Sequence, residues 1–332
     1  MGQVSAFEVR SNVAPEDRLE NGGRGYSVNE NGKSKGEELD YMQILNGVLP
    51  PTIRVLAWCP VPDSFDARFS CKGRHYRYFF TNIDGELDIE AMRKAAEYFL
   101  GEHDFRNFCK LDVQKQITNF SRRIDRADIL PYDGAPSNSN SKMWMLDLQG
   151  TAFLWHQVRC MMAILFLVGQ RLEEPEIVRD LLDMEKYPTK PEYEMAYDVP
   201  LVLYDCLFDD LEWRYPAEET RSRTKLLQDS FAIWHNYKLE ETLSGLLCTT
   251  ISRTGDILTG KGKNEKGGIC TGVGQQKAIK EYRKVAKRNR QEAFELVNER
   301  YRKSAKYDRQ QKKVEAKAKA RENGDTMEGI SE

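Results

Sequence analysis

Apolar positions along this chain follow two rhythms, one of two residues and one close to 3.6. From His75 to Phe80 the alternation His75-Tyr76-Arg77-Tyr78-Phe79-Phe80 predicts a strand with Tyr76, Tyr78 and Phe80 on one face. Alternation or short apolar runs predict further strands over 2–10, 53–58, 117–129, 143–148 and 198–206. Helical spacing of Leu39, Met42, Ile44 and Leu45 predicts a helix over 39–49, stopped by Pro50-Pro51. Ile89, Met92, Ala96, Phe99 and Leu100 form one apolar stripe, with Asp88 placed to cap the helix start and Gly101 its end. From Phe153 to Gly169 the pattern is apolar on nearly every side, which predicts a buried helix. Helices are also predicted over 173–184 and over 226–247, the latter packing on the body. The stretch 276–321 is a charged helical pattern with few apolar positions and reads as solvated. The Gly-, Asn- and Ser-rich stretches 11–38, 131–141 and 252–274 read as a mobile insertion and loops.

Composition narrows the class. Forty per cent of the 332 residues are hydrophobic, enough for a sizeable core. No apolar run approaches the roughly 18 residues of a membrane span, so no membrane partner is expected. Seven scattered cysteines form no CxxC pair, which argues against a zinc site or a disulfide framework. They read as reduced core thiols of an intracellular protein of nucleus or cytoplasm. The net charge of −2 hides an asymmetry: 277–322 holds 17 Lys or Arg against 7 Asp or Glu. Such a basic tail can contact RNA, contact another acidic partner, or be a solvated helix. RNA contact by the acidic body requires a local basic cleft.

The stretch from Phe65 to Phe80 offers one. Arg68, Arg74 and Arg77 bring planar forks that suit phosphate oxygens. Phe69, Tyr76 and Tyr78 bring flat faces on which an unstacked base can lie. The competing reading is an aromatic core strand with an arginine-rich edge. A second informative stretch is Phe153-Leu154-Trp155-His156-Gln157-Val158-Arg159. Arg159 lies inside an apolar helix pattern, where an unpaired charge is heavily penalised, so it should face a carboxylate. His156 lies one turn before it on the same side. Both also fit a structural role, Arg159 in a scaffold ion pair and His156 on a neighbouring carbonyl. His103 beside Asp104 reads as a hydrogen-bonded turn rather than an acid–base pair.

Four segments, in this order, resemble the TruA-type tRNA pseudouridine synthases. They are Ala67-Arg68-Phe69-Ser70 with Arg74-His75-Tyr76-Arg77-Tyr78, then Gly101 to Lys110, then Phe153 to Arg159, then Pro200-Leu201-Val202-Leu203-Tyr204-Asp205-Cys206. The His-Asp-Phe-Arg-Asn-Phe-Cys-Lys of 103–110 is similar to the family's eukaryotic branch, which acts at tRNA positions 38 and 39. The resemblance covers about residues 1–210. It implies an α+β TruA-like fold, with a central antiparallel sheet, flanking helices and a cleft between two halves. It also implies uridine isomerisation in the tRNA anticodon stem-loop, without cofactor or metal, by a protein that is often a homodimer. Tyr76 then packs on the target uridine, Arg159 pairs with the catalytic aspartate and Leu203 lines the uridine pocket. Arg68, Phe69, Arg74, Arg77 and His156 bind substrate.

The family's catalytic loop reads Arg-Thr-Asp-x-Gly-Val, and no such sequence stands in 1–332; Arg253-Thr254-Gly255-Asp256 has the order wrong. Gly2-Gln3-Val4 resembles the tripeptide that follows that loop. The expectation is therefore that the catalytic aspartate and the first elements of the N-terminal half lie outside this chain, which as given is inactive. The expected organisation is the remainder of an N-terminal subdomain over 1–82, a C-terminal subdomain over 83–215, a peripheral helical extension over 216–251, and a Gly-rich then basic tail over 252–332. The alternatives are a non-catalytic RNA-binding protein that keeps the cleft, and a scaffold working through the basic tail.

Overall fold

The computed structural model describes residues 2–12, 38–83, 86–132, 141–209, 211–252, 268–269, 272, 277–278 and 281–325. In chain order the main elements are α1 (Tyr41–Val48), β1 (Gly73–Ile83), α2 (Ile89–Glu97), β2 (Gly101–Asp104), β3 (Ser121–Pro131), β4 (Ser141–Gly150), α3 (Gln157–Gly169), α4 (Ile177–Leu182), β5 (Leu201–Leu207), α5 (Arg221–Ser252), β6 (Gly268–Ile269), β7 (Lys277–Ala278), α6 (Phe294–Arg302) and α7 (Ala305–Asp325). They divide into two units, one of 73–205 with 265–332 and one of 2–72 with 206–264.

The larger unit is a five-stranded sheet in the order β2-β3-β4-β1-β5. The β1–β4 and β3–β4 ladders are antiparallel, with Tyr76 opposite Leu148 and Tyr78 opposite Leu146. The two-residue alternation then sorts the side chains. Tyr78, Phe80, Ile124, Ile129, Leu146 and Leu148 are buried on one face. His75, Arg77 and Asp147 fall on the other.

Two helices cover the apolar face. In α2, Asp88 caps the first turn by accepting from Ala91 N at 3.0 Å, and Met92, Ala95 and Ala96 point inward. In α3, every residue except Arg159 is buried, which is why its pattern is apolar all round. Phe166 is its hub, edge-on to Tyr78 at 6.1 Å and to Phe80 at 5.7 Å. Where α3 ends, Gly169 lets α2 approach: a Cβ there would lie 2.7 Å from Met92 Sδ.

The stretch 276–321 does not form one solvated helix. Residues 281–304 pack on the sheet unit instead. Tyr282 Oη and Val285 N donate to one oxygen of buried Glu173, at 2.6 and 2.7 Å, and Val285 is fully buried. Phe294 lies edge-on to Phe120 at 4.8 Å, and Asn298 Nδ2 donates to Ile117 O. Helix α7 continues from there as a separate element.

In the smaller unit, α1 is capped by Asp40, which accepts from Gln43 N and from Ser222 Oγ. Tyr41 packs edge-on to Trp58, and Trp58 exchanges backbone hydrogen bonds with Arg214. That bridge is all that forms of the strand expected over 53–58, and residues 2–12 form none of the strand expected over 2–10. Both were read from local pattern, but a strand needs a partner, and no described strand pairs with either.

The expectation that 226–247 packs on the body is also corrected. Helix α5 is tied at its start by Ser222 and by the Arg54–Asp229 pair at 3.0 Å. Beyond that, Phe231, Trp234, Leu243 and Leu246 are each more than half exposed. The reason lies in the spacing. Leu227, Phe231 and Trp234 share one side, while Leu239, Leu243 and Leu246 share another, so one supporting layer cannot bury both. Among the described residues no helix is long and apolar enough to cross a membrane. The insertion read over 11–38 and the loops read over 131–141 and 252–274 lie largely outside the described residues.

Candidate functional site

The larger unit brings three of the residues singled out above, Tyr76, His156 and Arg159, to the entrance of α3. The turn 154–157 is fixed from both sides. Gln157, itself buried, accepts from Leu154 N at 2.8 Å, and its own N–H donates to Leu154 O at 3.1 Å. His156 takes a left-handed backbone with φ 59°, uncommon outside glycine although histidine, like asparagine and aspartate, adopts it more often than other residues. Such strain persists only where neighbours over-determine it.

His156 Nδ1 lies 3.2 Å from Met195 Sδ rather than on a carbonyl. Burial pulls its imidazole below the ordinary histidine range, and the nearby cations Arg159, Lys110 and Lys190 pull the same way against Asp198. Arg159 stands one turn further on. Its Nε donates to Ala196 O at 2.8 Å, and a terminal nitrogen lies 3.6 Å from Asp198 Oδ2. Asp198 is largely exposed, so this is not the buried pair that the apolar surroundings of Arg159 suggest. The Arg159 side chain is itself mostly covered, and Asp198 is its carboxylate partner among the described residues.

Tyr76, half-buried on β1, meets this turn through Phe153, edge-on at 4.9 Å. Arg74 opens the same strand opposite Gly150. Leu203 lies in β5, the strand on the other side of β1. So Tyr76, His156 and Arg159 are organised about one turn.

Arg77 is placed differently from the expectation. It faces away from Tyr76, donates from Nε to Asp147 at 2.9 Å, and lies 3.5 Å over the ring of Tyr204. His75 Nε2 also meets Asp147, at 2.7 Å, and Arg126 approaches its other oxygen at 3.2 Å. Burial would raise the Asp147 carboxyl, but the hydrogen bonds of Arg77 and His75 and the charge of Arg126 outweigh it and hold it below the ordinary aspartate range. With its guanidinium committed in this way, Arg77 is a scaffold cation rather than a free phosphate fork. Of the base faces read on β1, Tyr76 is partly exposed, whereas Tyr78 is fully buried and donates to Tyr197 O at 2.8 Å.

Arg68 and Phe69 belong to the smaller unit. They sit on a turn whose amides both donate to Asp66 Oδ1 at 2.8 Å. Phe69 is 79% exposed, with the Arg68 guanidinium 5.3 Å from its ring centre. An ordered, exposed aromatic beside an arginine suits a nucleic-acid surface.

His103 and Asp104 end the short strand β2 and are held by local hydrogen bonds as expected, Asp104 Oδ1 accepting from Arg106 N at 2.9 Å. Asp104 is engaged by Arg106 at 2.6 Å, and His103 Nε2 contacts Leu100 O at 2.7 Å. Two residues of consequence escaped the reading of the sequence. Asp147 had a signal, a single acid breaking the Leu146–Leu148 alternation. Trp155 had one too, an aromatic placed immediately before His156.

Comparison with known proteins bears on what this arrangement is for. A family model described as tRNA pseudouridine synthase matches residues 95–209. The chain is 43% identical over 304 residues to the tRNA pseudouridine(38/39) synthase of Saccharomyces cerevisiae, covering 91% of this chain and 63% of that protein. It is 45% identical over 243 residues to the human protein of the same name, covering 72% of this chain and 49% of that protein. It is 34% identical over 199 residues to tRNA pseudouridine synthase A of Archaeoglobus fulgidus, covering 60% of this chain and 69% of that protein. The chain thus spans between about half and less than two thirds of the length of its eukaryotic relatives.

Proposed function

Because the chain belongs to the tRNA pseudouridine synthase family, we propose that the protein takes part in converting uridine to pseudouridine at positions 38 and 39 of the tRNA anticodon stem-loop. The observation that carries this is the turn at the entrance to α3, which follows Phe153, the edge-on partner of Tyr76, and presents His156 and, one turn on, Arg159.

The reaction gains and loses no atoms overall. The N1–C1′ bond breaks, uracil turns, a C5–C1′ bond forms, and the C5 proton leaves for a return proton at N1. It therefore needs no co-substrate, and this reading includes no metal and no cofactor. Uridine must leave the helical stack first, and a half-buried tyrosine is suited to receive the base. In this reading Tyr76 packs on the flipped uracil and its hydroxyl lies near the C5 proton. Arg159 keeps a carboxylate in its ionised form, since a nearby cation favours the charged state. His156, held neutral, offers hydrogen bonds without adding to the positive charge around Arg159. Leu203 supplies apolar surface, Arg74 meets phosphate, and the exposed Arg68–Phe69 turn offers a further base platform and phosphate fork.

The same reading includes a homodimer and a place in the nucleus or cytoplasm, where tRNA is modified. Sedimentation at micromolar concentration tests the former.

The site is tested by RNA affinity. An anticodon stem-loop RNA should bind at least about tenfold tighter than a hairpin of unrelated sequence. Tyr76→Ala should lose stacking of about 1–3 kcal/mol, while Tyr76→Phe keeps it. Equal binding of the two hairpins, or a Tyr76→Ala protein with unchanged affinity, would contradict the reading.

A further inference from the structure

Trp155 is 42% exposed, yet nothing about it is loose. Its carbonyl accepts from Lys110 N at 3.0 Å, and it sits in the turn that Gln157 closes from both sides. The next residue is the strained His156, whose ring lies 4.6 Å from the indole at 59°. The Lys110 ammonium lies 5.0 Å from the indole centre. Lys110 ends the segment 103–110, whose aromatic residues Phe105 and Phe108 are fully buried, so the lysine is delivered from a rigid base.

A single exposed aromatic is ordinary at a protein surface; what marks Trp155 is that the turn and the Lys110–Trp155 backbone bond hold it fixed. Here the fold holds a large π surface at the rim of the site, flanked by a cation and one turn before Arg159. That is the composition of a single-strand nucleic-acid contact: a flat face for a base and a positive charge for the phosphate next to it.

We propose that Trp155 is a stacking platform for an unpaired nucleoside of the bound RNA other than the reacting uridine, with Lys110 meeting the adjoining phosphate. This rests on the tRNA reading given above and adds a binding position to it. Trp155 contributes surface only, and Lys110 contributes charge. Loss of the first should remove affinity for a particular base, and loss of the second should reduce the salt dependence of binding.

The test uses the whole chain and an anticodon stem-loop RNA. Trp155→Ala should weaken binding about 5- to 150-fold. Trp155→Phe should stay within about threefold of the parent, because a smaller aromatic still stacks. RNA should quench tryptophan fluorescence in the parent and quench it less in Trp155→Phe, a signal that a purely structural tryptophan would not give. Stem-loops with one loop base removed at a time should include one RNA on which parent and Trp155→Ala bind alike. Lys110→Gln should flatten the dependence of affinity on salt. If the parent binds the stem-loop but Trp155→Ala binds within about twofold of it, or the quench is the same in Trp155→Phe, the platform is refuted and the tRNA reading stands. If the parent shows no preference for the stem-loop, both fall together.

Discussion

Replacing Asp147 by alanine removes a buried anion from between two arginines and a histidine. Its side chain is 2% exposed and receives His75 at 2.7 Å, Arg77 at 2.9 Å and Arg126 at 3.2 Å. Breaking such a pair from one side costs on the order of 3–5 kcal/mol, because the partner charge is left buried. One feature pulls this case to the lower end: Arg126 is close to half exposed and can rehydrate. Arg77 is the residue that suffers, pinned over Tyr204 with most of its surface covered. We therefore expect a loss of about 3 kcal/mol, which for a unit of this size lowers Tm by about 6–12 °C. Asp147→Asn keeps an acceptor for Arg77 and should lose about half as much. The assay is thermal melting followed by circular dichroism at neutral pH, repeated in acid. The folded carboxyl titrates below its ordinary 3.8, so its contribution is complete above that pH. It is lost as the pH falls through the lowered value, and the gap between parent and Asp147→Ala should close there. A variant melting within about 2 °C of the parent at pH 7, or a gap that is flat with pH down to the acid transition, would refute the reasoning.

Glu173→Ala should leave Val285 N and Tyr282 Oη without their shared acceptor, costing about 2–3 kcal/mol and speeding limited proteolysis within 281–304; an unchanged cleavage rate would show that the segment is held by its apolar contacts alone. Arg159→Leu should cost about 1–3 kcal/mol in chemical denaturation, the value of a charged hydrogen bond to Ala196 O plus a weak pair with exposed Asp198, and a larger loss would mean a buried carboxylate partner.

Much of this was legible in the chain itself, for reasons that differ from element to element. Strand β1 and helices α2 and α3 carry long, clean periodicity and bury the faces the pattern gave them, except that α2 stops at Glu97, so Gly101 opens β2 instead of capping the helix and Leu100 is exposed. The apparent strands over 2–10 and 53–58 failed because pairing is a property of two segments. Residues 281–304 misled because their anchors, Tyr282, Val285 and Phe294, are isolated apolar positions in a charged run, and periodicity cannot see single anchors. At the site, the Phe153–Arg159 wording pointed to the turn that presents His156 and Arg159. The fate of Arg77 depended on which residue of β4 lies opposite it; only the register Arg77–Asp147 shows that the fork is spent on a carboxylate. Trp155 was invisible as a site because exposure is decided by the turn geometry around it.

The central claim is that this protein serves pseudouridine formation at positions 38 and 39 of tRNA. Deleting its gene in the source organism and mapping pseudouridine in total tRNA by carbodiimide modification and primer extension tests it most directly. The account predicts that the stops at positions 38 and 39 disappear while pseudouridine elsewhere in the same tRNAs persists, and that the restored gene brings them back. Undiminished pseudouridine at both positions in the deletion strain would contradict it.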